Sequence, residues 1–300
     1  MGRRRRMADS KIGGIEDLSS DSRRDALRGT DGTVVNIAGY RFVALPDRDE
    51  LRQPFRDICE TLGLAGTILL SHEGINFFLA GSRESIDSYL DFLAQDQRLA
   101  DILLKVSYSE SQPFRRMLVR LKNEIISLGM PEISPADFTG EEITPQHLKA
   151  KLDADADVVV LDTRNEFEIR IGTFENAVDL NISSFRDFPN AIKNLPEEMK
   201  EKEIVMFCTG GIRCEKASAV MLNAGFANVK QLKGGVLGYF EACGGAHWDG
   251  DCFVFDRRVA LNPQLEETDH ELCFACREPL GQEELNSEDY VIGQSCPHCA

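Results

Sequence analysis

The stretch Cys208-Thr209-Gly210-Gly211-Ile212-Arg213 sets a thiol and a guanidinium at the two ends of a glycine-containing loop. The run before it, Glu203-Ile204-Val205-Met206-Phe207, has strand composition. The run after it carries Ala217, Val220, Met221 and Ala224 at helical spacing, with Gly225 where a helix C-terminus favours glycine. Cys208 is therefore expected in a tight strand-to-helix turn, where the glycines let backbone amides point inward. A thiol that faces amides, a helix N-terminus and one guanidinium is stabilised as thiolate, its reactive form. Only Thr209, Gly210, Gly211 and Ile212 separate Cys208 from Arg213. A phosphatase loop of the Cys-x5-Arg kind is one residue longer and cups a tetrahedral phosphate. The shorter loop suits a single extra sulfur on the cysteine. Cys208 is thus the expected reactive thiolate, and Arg213 the group that stabilises its charge. Cys214, next in the chain, could resolve a persulfide or disulfide.

The elements around the loop read as alternating strands and helices. Val158-Val159-Val160-Leu161 is a continuous apolar strand of the buried parallel type, ending in Asp162-Thr163-Arg164. Further strands are expected at Ala177–Leu180 and Val229–Leu232, and Gly234-Gly235-Val236 opens a helix to Cys243. Thr144 and Pro145 fit the N-cap and first turn of the helix that starts this region. Ligands of such sheets sit at the carboxyl ends of the strands, where Cys208 falls. Asp162 and Arg164 are expected to hold the loop as a structural ion pair.

Upstream, Val34 to Tyr108 reads as βαββαβ, a ferredoxin-like arrangement. An extended piece, Phe114 to Leu128, follows it. Residues 111–123 contain no acidic side chain and carry Arg115, Arg116, Arg120 and Lys122 beside Phe114. In a chain of net charge −16 this reversal is a candidate polynucleotide footprint. His72-Glu73, between two strands, is a weaker acid/base candidate. The organisation expected is a disordered leader over 1–32, a ferredoxin-like domain over 33–129, a linker over 130–142, an α/β parallel-sheet domain over 143–247, and a Cys-rich extension over 248–300. The arginine run at 3–6 belongs to the leader, for which Met7 is an alternative start.

The extension holds Cys273-x2-Cys276 and Cys296-x2-Cys299, a four-cysteine zinc spacing. Its residues 263–300 carry nine acids against the single base Arg277, which disfavours a grip on phosphates. His247 and Asp249, with His270 or His298, form the skeleton of a non-haem iron site. Nine cysteines without an apolar export segment suit a reducing compartment, and a cytoplasmic protein is expected. No apolar run is long enough to span a membrane. No NAD, flavin or haem motif is present. Oligomeric state is not legible in the sequence.

The loop pattern resembles that of rhodanese domains, as do Leu161-Asp162-Thr163-Arg164 with Glu168, the approach from Gly172 to Ala177, and Leu232-x-Gly234-Gly235. Thr173 departs, standing where many rhodaneses have His. Three further motifs, Ser71-His72-Glu73-Gly74-Ile75-Asn76, Gln112-Pro113-Phe114-Arg115-Arg116 and Cys252-Phe253-Val254-Phe255-Asp256, make the span from about residue 34 to 300 similar to the bacterial rhodanese-domain tRNA uridine(34) hydroxylases. That resemblance implies oxygen-dependent 5-hydroxylation of the wobble uridine, with molecular oxygen as co-substrate and the tRNA anticodon loop as partner. It also places Arg115, Arg116, Arg120 and Lys122 on the tRNA path. Cys208 would carry a persulfide or attack the uracil ring directly. The rival readings are a sulfurtransferase or persulfide carrier acting on small thiols or a partner protein, and a non-catalytic tRNA-binding protein.

Overall fold

The computed structural model describes residues 33–300; the expected leader lies outside the described residues. The first domain runs β1 (Val34–Phe42), α1 (Arg48–Thr61), β2 (Ala65–Ser71), β3 (Gly74–Gly81), α2 (Arg83–Leu93), β4 (Leu104–Ser109) and β5 (Met117–Leu121). Its sheet has the order β4-β1-β3-β2-β5, antiparallel except for β5, which lies parallel to β2. This is the ferredoxin-like fold with one added edge strand. The apolar stripes of α1 and α2, including Phe55, Cys59, Ile86 and Tyr89, cover one sheet face at Val35, Ile37, Ile68, Phe77, Leu79 and Val119. Because strand side chains alternate, the opposite face presents Ala38, Tyr40, Leu69, Asn76, Phe78 and Lys105. Neither α1 nor α2 covers that face; it forms one wall of a cleft.

The second domain runs β6 (Glu141–Ile143), α3 (Pro145–Asp153), β7 (Val158–Asp162), α4 (Glu166–Ile169), β8 (Gly172–Phe174), β9 (Val178–Asp179), α5 (Phe188–Ala191), β10 (Glu203–Phe207), α6 (Ile212–Asn223), β11 (Asn228–Leu232) and α7 (Gly235–Cys243). Its main sheet, β6-β11-β10-β7-β9, is parallel throughout. Thr144 caps α3 by accepting from the His147 amide at 3.3 Å. Helix α6 packs with Leu161, Ile204 and Met206 on one face, and α7 with Val160, Val205 and Phe207 on the other. The central strand β10 is thus buried from both sides and ends at Cys208.

The alternating tail resolves into two pairings. Strand β12 (Trp248–Gly250) pairs antiparallel with β8, and β13 (Cys252–Phe253) pairs with β14 (Ala260–Leu261). Arg258 then donates to Ser107 Oγ at 2.7 Å, so the extension straps the second domain to the first. Beyond it, β15 (Glu271–Leu272), β16 (Pro279–Leu280) and α8 (Gln282–Leu285) surround the cysteine pairs. Among the described residues, no helix is long and apolar enough to cross a membrane.

Candidate active site

The loop takes the expected strand-to-helix turn. Gly211 has φ of 99°, which turns its amide onto Cys208 Sγ at 3.1 Å and starts α6. The loop is held from below by the Gly234-Gly235 turn. The Val236 and Leu237 amides at the start of α7 donate to the carbonyls of Cys208 and Thr209 at 3.0 and 3.1 Å. A Cβ on Gly235 would lie 2.4 Å from the Cys208 oxygen, so only glycine lets the two backbones meet.

Cys208 is fully buried at the floor of the loop. Burial alone would push its thiol up. The Cys214 thiol, the Arg213 charge and the Arg213 and Gly211 amides outweigh that effect and hold Cys208 well below the ordinary thiol range. Cys214 moves the other way: burial and its bond to Cys208 keep it protonated, with Thr163 Oγ1 3.7 Å from its sulfur. The pair is one anionic sulfur and one neutral donor.

Arg213 is held by Glu168. Its two terminal nitrogens donate to the two carboxylate oxygens at 2.6 and 2.7 Å, and both side chains are buried. Burial favours the neutral acid, but the Arg213 charge and hydrogen bonds keep Glu168 below the usual carboxylate range. Glu168 reaches this position because Asn165 and Glu168 form a capping box at the start of α4. Thr209 donates to the same carboxylate at 3.2 Å. Arg164 instead pairs with Asp162 at 2.6 Å and donates to the Gly172 carbonyl. Thr173 donates to Asp162 at 2.8 Å. The Asp162–Arg164 pair therefore braces β7 against β8, and Glu168 is the carboxylate that fixes the arginine of the loop.

Between the loop and the bare face of the first sheet lies a cleft of about 500 Å³. Cys208, Thr209, Gly210, Ile212 and Arg213 line one side. Tyr40, Asn76, Phe78 and Lys105 line the other, with Phe185 and Phe255 at its margins. Tyr40 donates to Glu215 at 3.2 Å, and burial with Glu215 and Cys208 nearby keeps its hydroxyl neutral. Lys122 lies at the mouth of the cleft, and Arg120, paired in register with Leu69, is exposed on the same sheet face. Arg115 and Arg116 are exposed just before β5 and do not line the cleft. Glu73 is engaged by Lys216, 2.8 Å away, while His72 is exposed beside the Leu45 carbonyl. Tyr40, Lys105, Phe78, Glu168 and Phe255 escaped sequence reasoning as site residues. Only the capping box at Asn165 to Glu168 offered a local signal.

Residues 34–125 match the UPF0176 acylphosphatase like domain, and residues 144–242 match the Rhodanese-like domain. The tRNA uridine(34) hydroxylase of Cupriavidus necator is 52% identical over 271 residues, covering 89% of this chain and 96% of that protein. Proteins of the same name from Ralstonia nicotianae and Burkholderia orbicola are 50% and 49% identical, each over 89% of this chain and 96% and 98% of theirs. The chain belongs to the tRNA uridine(34) hydroxylase family. Among solved structures, the rhodanese-like domain of an Anabaena protein is 23% identical and covers 36% of this chain and 78% of its own, with a TM-score of 0.31. The family assignment rests on the full-length relatives.

Among its described residues, the hydroxylase-family chain also assembles a candidate metal centre. The sulfurs of Cys273, Cys276, Cys296 and Cys299 all lie within 4.8 Å of one another. Cys273 and Cys299 are 3.9 Å apart, Cys276 and Cys296 3.6 Å, and Cys296 and Cys299 3.7 Å. Four thiolates at ~2.3 Å around a tetrahedral ion stand ~3.8 Å apart, so this donor set could hold a metal. His247, Asp249, His270 and His298 do not converge. His247 bonds Asp153 at 2.8 Å, His270 lies 3.6 Å from Asp251, and His298 lies 3.7 Å from Glu284.

Proposed function

We propose that this chain hydroxylates C5 of the wobble uridine of tRNA, with molecular oxygen as co-substrate and Cys208 as the reactive sulfur. The observation that carries this reading is where the sulfur opens. It faces a cleft walled by a sheet and bordered by cations, not a shallow surface cup. An enzyme that acts on a base must take it out of the stack and into a pocket. This cleft offers aromatic and aliphatic walls for a base, with Arg120 and Lys122 toward its mouth for the flanking phosphates. Arg115 and Arg116 extend that basic path along the first domain. Cys208, as thiolate or persulfide, meets the base at the floor, while Arg213, fixed by Glu168, stabilises the sulfur's charge. A reducing cytoplasm, where tRNA resides, keeps these thiols free.

Mass spectrometry of tRNA nucleosides tests the reading. Cells or reactions dependent on the wild-type chain should yield 5-hydroxyuridine at position 34, and Cys208→Ala should abolish it. Full hydroxylation by Cys208→Ala, or thiosulfate-dependent sulfur transfer with no change in tRNA mass, would replace the reading with another.

The cysteine knuckle is, in the same proposal, a structural zinc site. Four cysteine ligands leave no open position, so its contribution is to folding and not to the reaction. Elemental analysis should find one zinc per chain, reduced by Cys276→Ser while the Cys208 chemistry persists.

A further inference from the structure

Of the charged groups that line the cleft, Lys105 is neither part of the loop chemistry, like Arg213, nor exposed at the mouth, like Lys122. Lys105 projects from β4, an edge strand, onto the bare face of the first sheet. The register sets it opposite Ala38, whose small side chain leaves room above the neighbouring strand. The ammonium leans across that gap to lie 4.8 Å from the centre of the Tyr40 ring. Tyr40 in turn reaches the active loop: its hydroxyl would stand 3.0 Å from a Cβ at Gly211. Among the described residues, Lys105 makes no side-chain hydrogen bond and no ion pair. The charges that face it are those of Cys208 and Glu215 from the loop and α6, and Glu142 from β6. A lysine set into a cleft wall with the face of one ring and no paired carboxylate has its lost hydration only partly compensated. The structure retains such a group where something entering the cleft accepts its hydrogen bonds.

Resting on the reading that uridine 34 enters this cleft, we propose that Lys105 is the group that receives the C4 carbonyl of the uracil ring. Addition of the Cys208 thiolate at C6 forms the S–C6 bond and shifts the C5=C6 electron pair onto the C5–C4–O4 fragment, so negative charge gathers on O4, next to the carbon that oxygen then attacks. A cation on the same cleft as Cys208 stabilises that charge where it develops, as an oxyanion donor does. It also selects the base. Uracil offers an acceptor at C4, whereas cytosine offers an amino donor that an ammonium repels. Phe78, one strand beyond Ala38 in the same row, supplies an apolar wall on which the ring can lie. Burial pushes Lys105 down to about 8, with Cys208, Glu215 and Glu142 resisting the fall, so its proton is held loosely near neutral pH.

The test uses the full chain and an anticodon stem-loop RNA that carries uridine or 4-thiouridine at position 34. Lys105→Met should fold with an unchanged thermal midpoint, bind the stem-loop as the wild type does, and hydroxylate it about 100-fold more slowly, the loss typical of one oxyanion donor. The 4-thio substrate, a poorer acceptor, should slow the wild type and leave Lys105→Met little changed. Lys105→Arg keeps the charge and cannot deprotonate, so it should lack the fall in rate that the wild type shows above pH of about 8. A Lys105→Met rate within about threefold of wild type, alongside an inactive Cys208→Ala, would overturn the role of Lys105 and leave the uridine reading standing. An identical alkaline limb in wild type and Lys105→Arg would do the same. A wild-type chain that forms no 5-hydroxyuridine overturns both.

Discussion

The Nζ of Lys216 lies 2.8 Å from Oε2 of Glu73. Lys216 follows the active loop by three residues, and Glu73 sits in the β2–β3 turn of the other domain. The lysine is fully buried and takes a second carboxylate, Glu124 at 2.7 Å, with the Ile126 carbonyl at 3.2 Å. Helix α6 is thereby fixed to the first domain at the end that carries Cys208. Lys216→Met should cost about 3–5 kcal/mol in urea denaturation, because two carboxylates are left facing each other at the interface. Glu73→Gln should cost less, about 1.5–3 kcal/mol, since Glu124 still compensates the lysine. Both should lower hydroxylation by shifting the cleft walls. A Lys216→Met chain as stable as wild type would show that the triad does not join the domains.

This pair also marks where the sequence stops being readable. The turn at Cys208 follows from local facts: strand composition before it, two glycines within it, helical spacing after it. Those interactions lie within a few residues and leave a pattern. Glu73 read as a weak acid/base candidate with His72, because its partner lies far along the chain on another domain. Glu168 and Arg213 are likewise distant in sequence and adjacent in space. Tyr40 and Lys105 look like ordinary members of two strands. Their importance arises only once the sheet turns the face that α1 and α2 leave bare to the loop, which no periodicity encodes. The two cysteine pairs are the opposite case, since metal-ligand spacing is itself a sequence pattern.

Gly235 is the second test. Its φ is 64°, and an added Cβ would stand 2.4 Å from the Cys208 carbonyl and 2.7 Å from that of Thr209. These are backbone atoms already bonded to α7 and unable to yield. Gly235→Ala should destabilise the chain by about 2 kcal/mol or more, from strain at a left-handed position added to the clash. Gly210→Ala is the control, since a Cβ there meets nothing within 4 Å. Its thermal midpoint should stay near wild type, whereas that of Gly235→Ala falls together with activity.

Glu168 gives a pH signature. Its folded pKa is lowered by Arg213, so the pair's stabilisation is complete above the ordinary carboxylate value of ~4.3. It is lost as pH falls through the lowered folded value. Glu168→Gln keeps the shape and one acceptor but removes the charge. The variant should be about 3 kcal/mol less stable than wild type at pH 7, as expected for breaking a buried pair. The gap should narrow steadily in denaturation curves taken below pH of about 4 to 5. A gap that does not change with pH would show that the carboxylate's charge contributes nothing there.

Arg120 and Lys122 separate the basic path from the chemistry. Both are exposed, on or just past β5, while Cys208 lies at the cleft floor. Arg120→Glu and Lys122→Glu should raise the KM for tRNA, with kcat at saturation reduced far less. Removing a cation that neutralises a phosphate should also flatten the plot of log affinity against log salt, by about 0.7 to 0.9 per charge. Lys105→Met should leave that slope unchanged, because its cation faces the base and not the backbone. If Arg120→Glu lowered kcat at unchanged KM and salt slope, the strand would belong to the reacting site, and the tRNA would approach the cleft from another side.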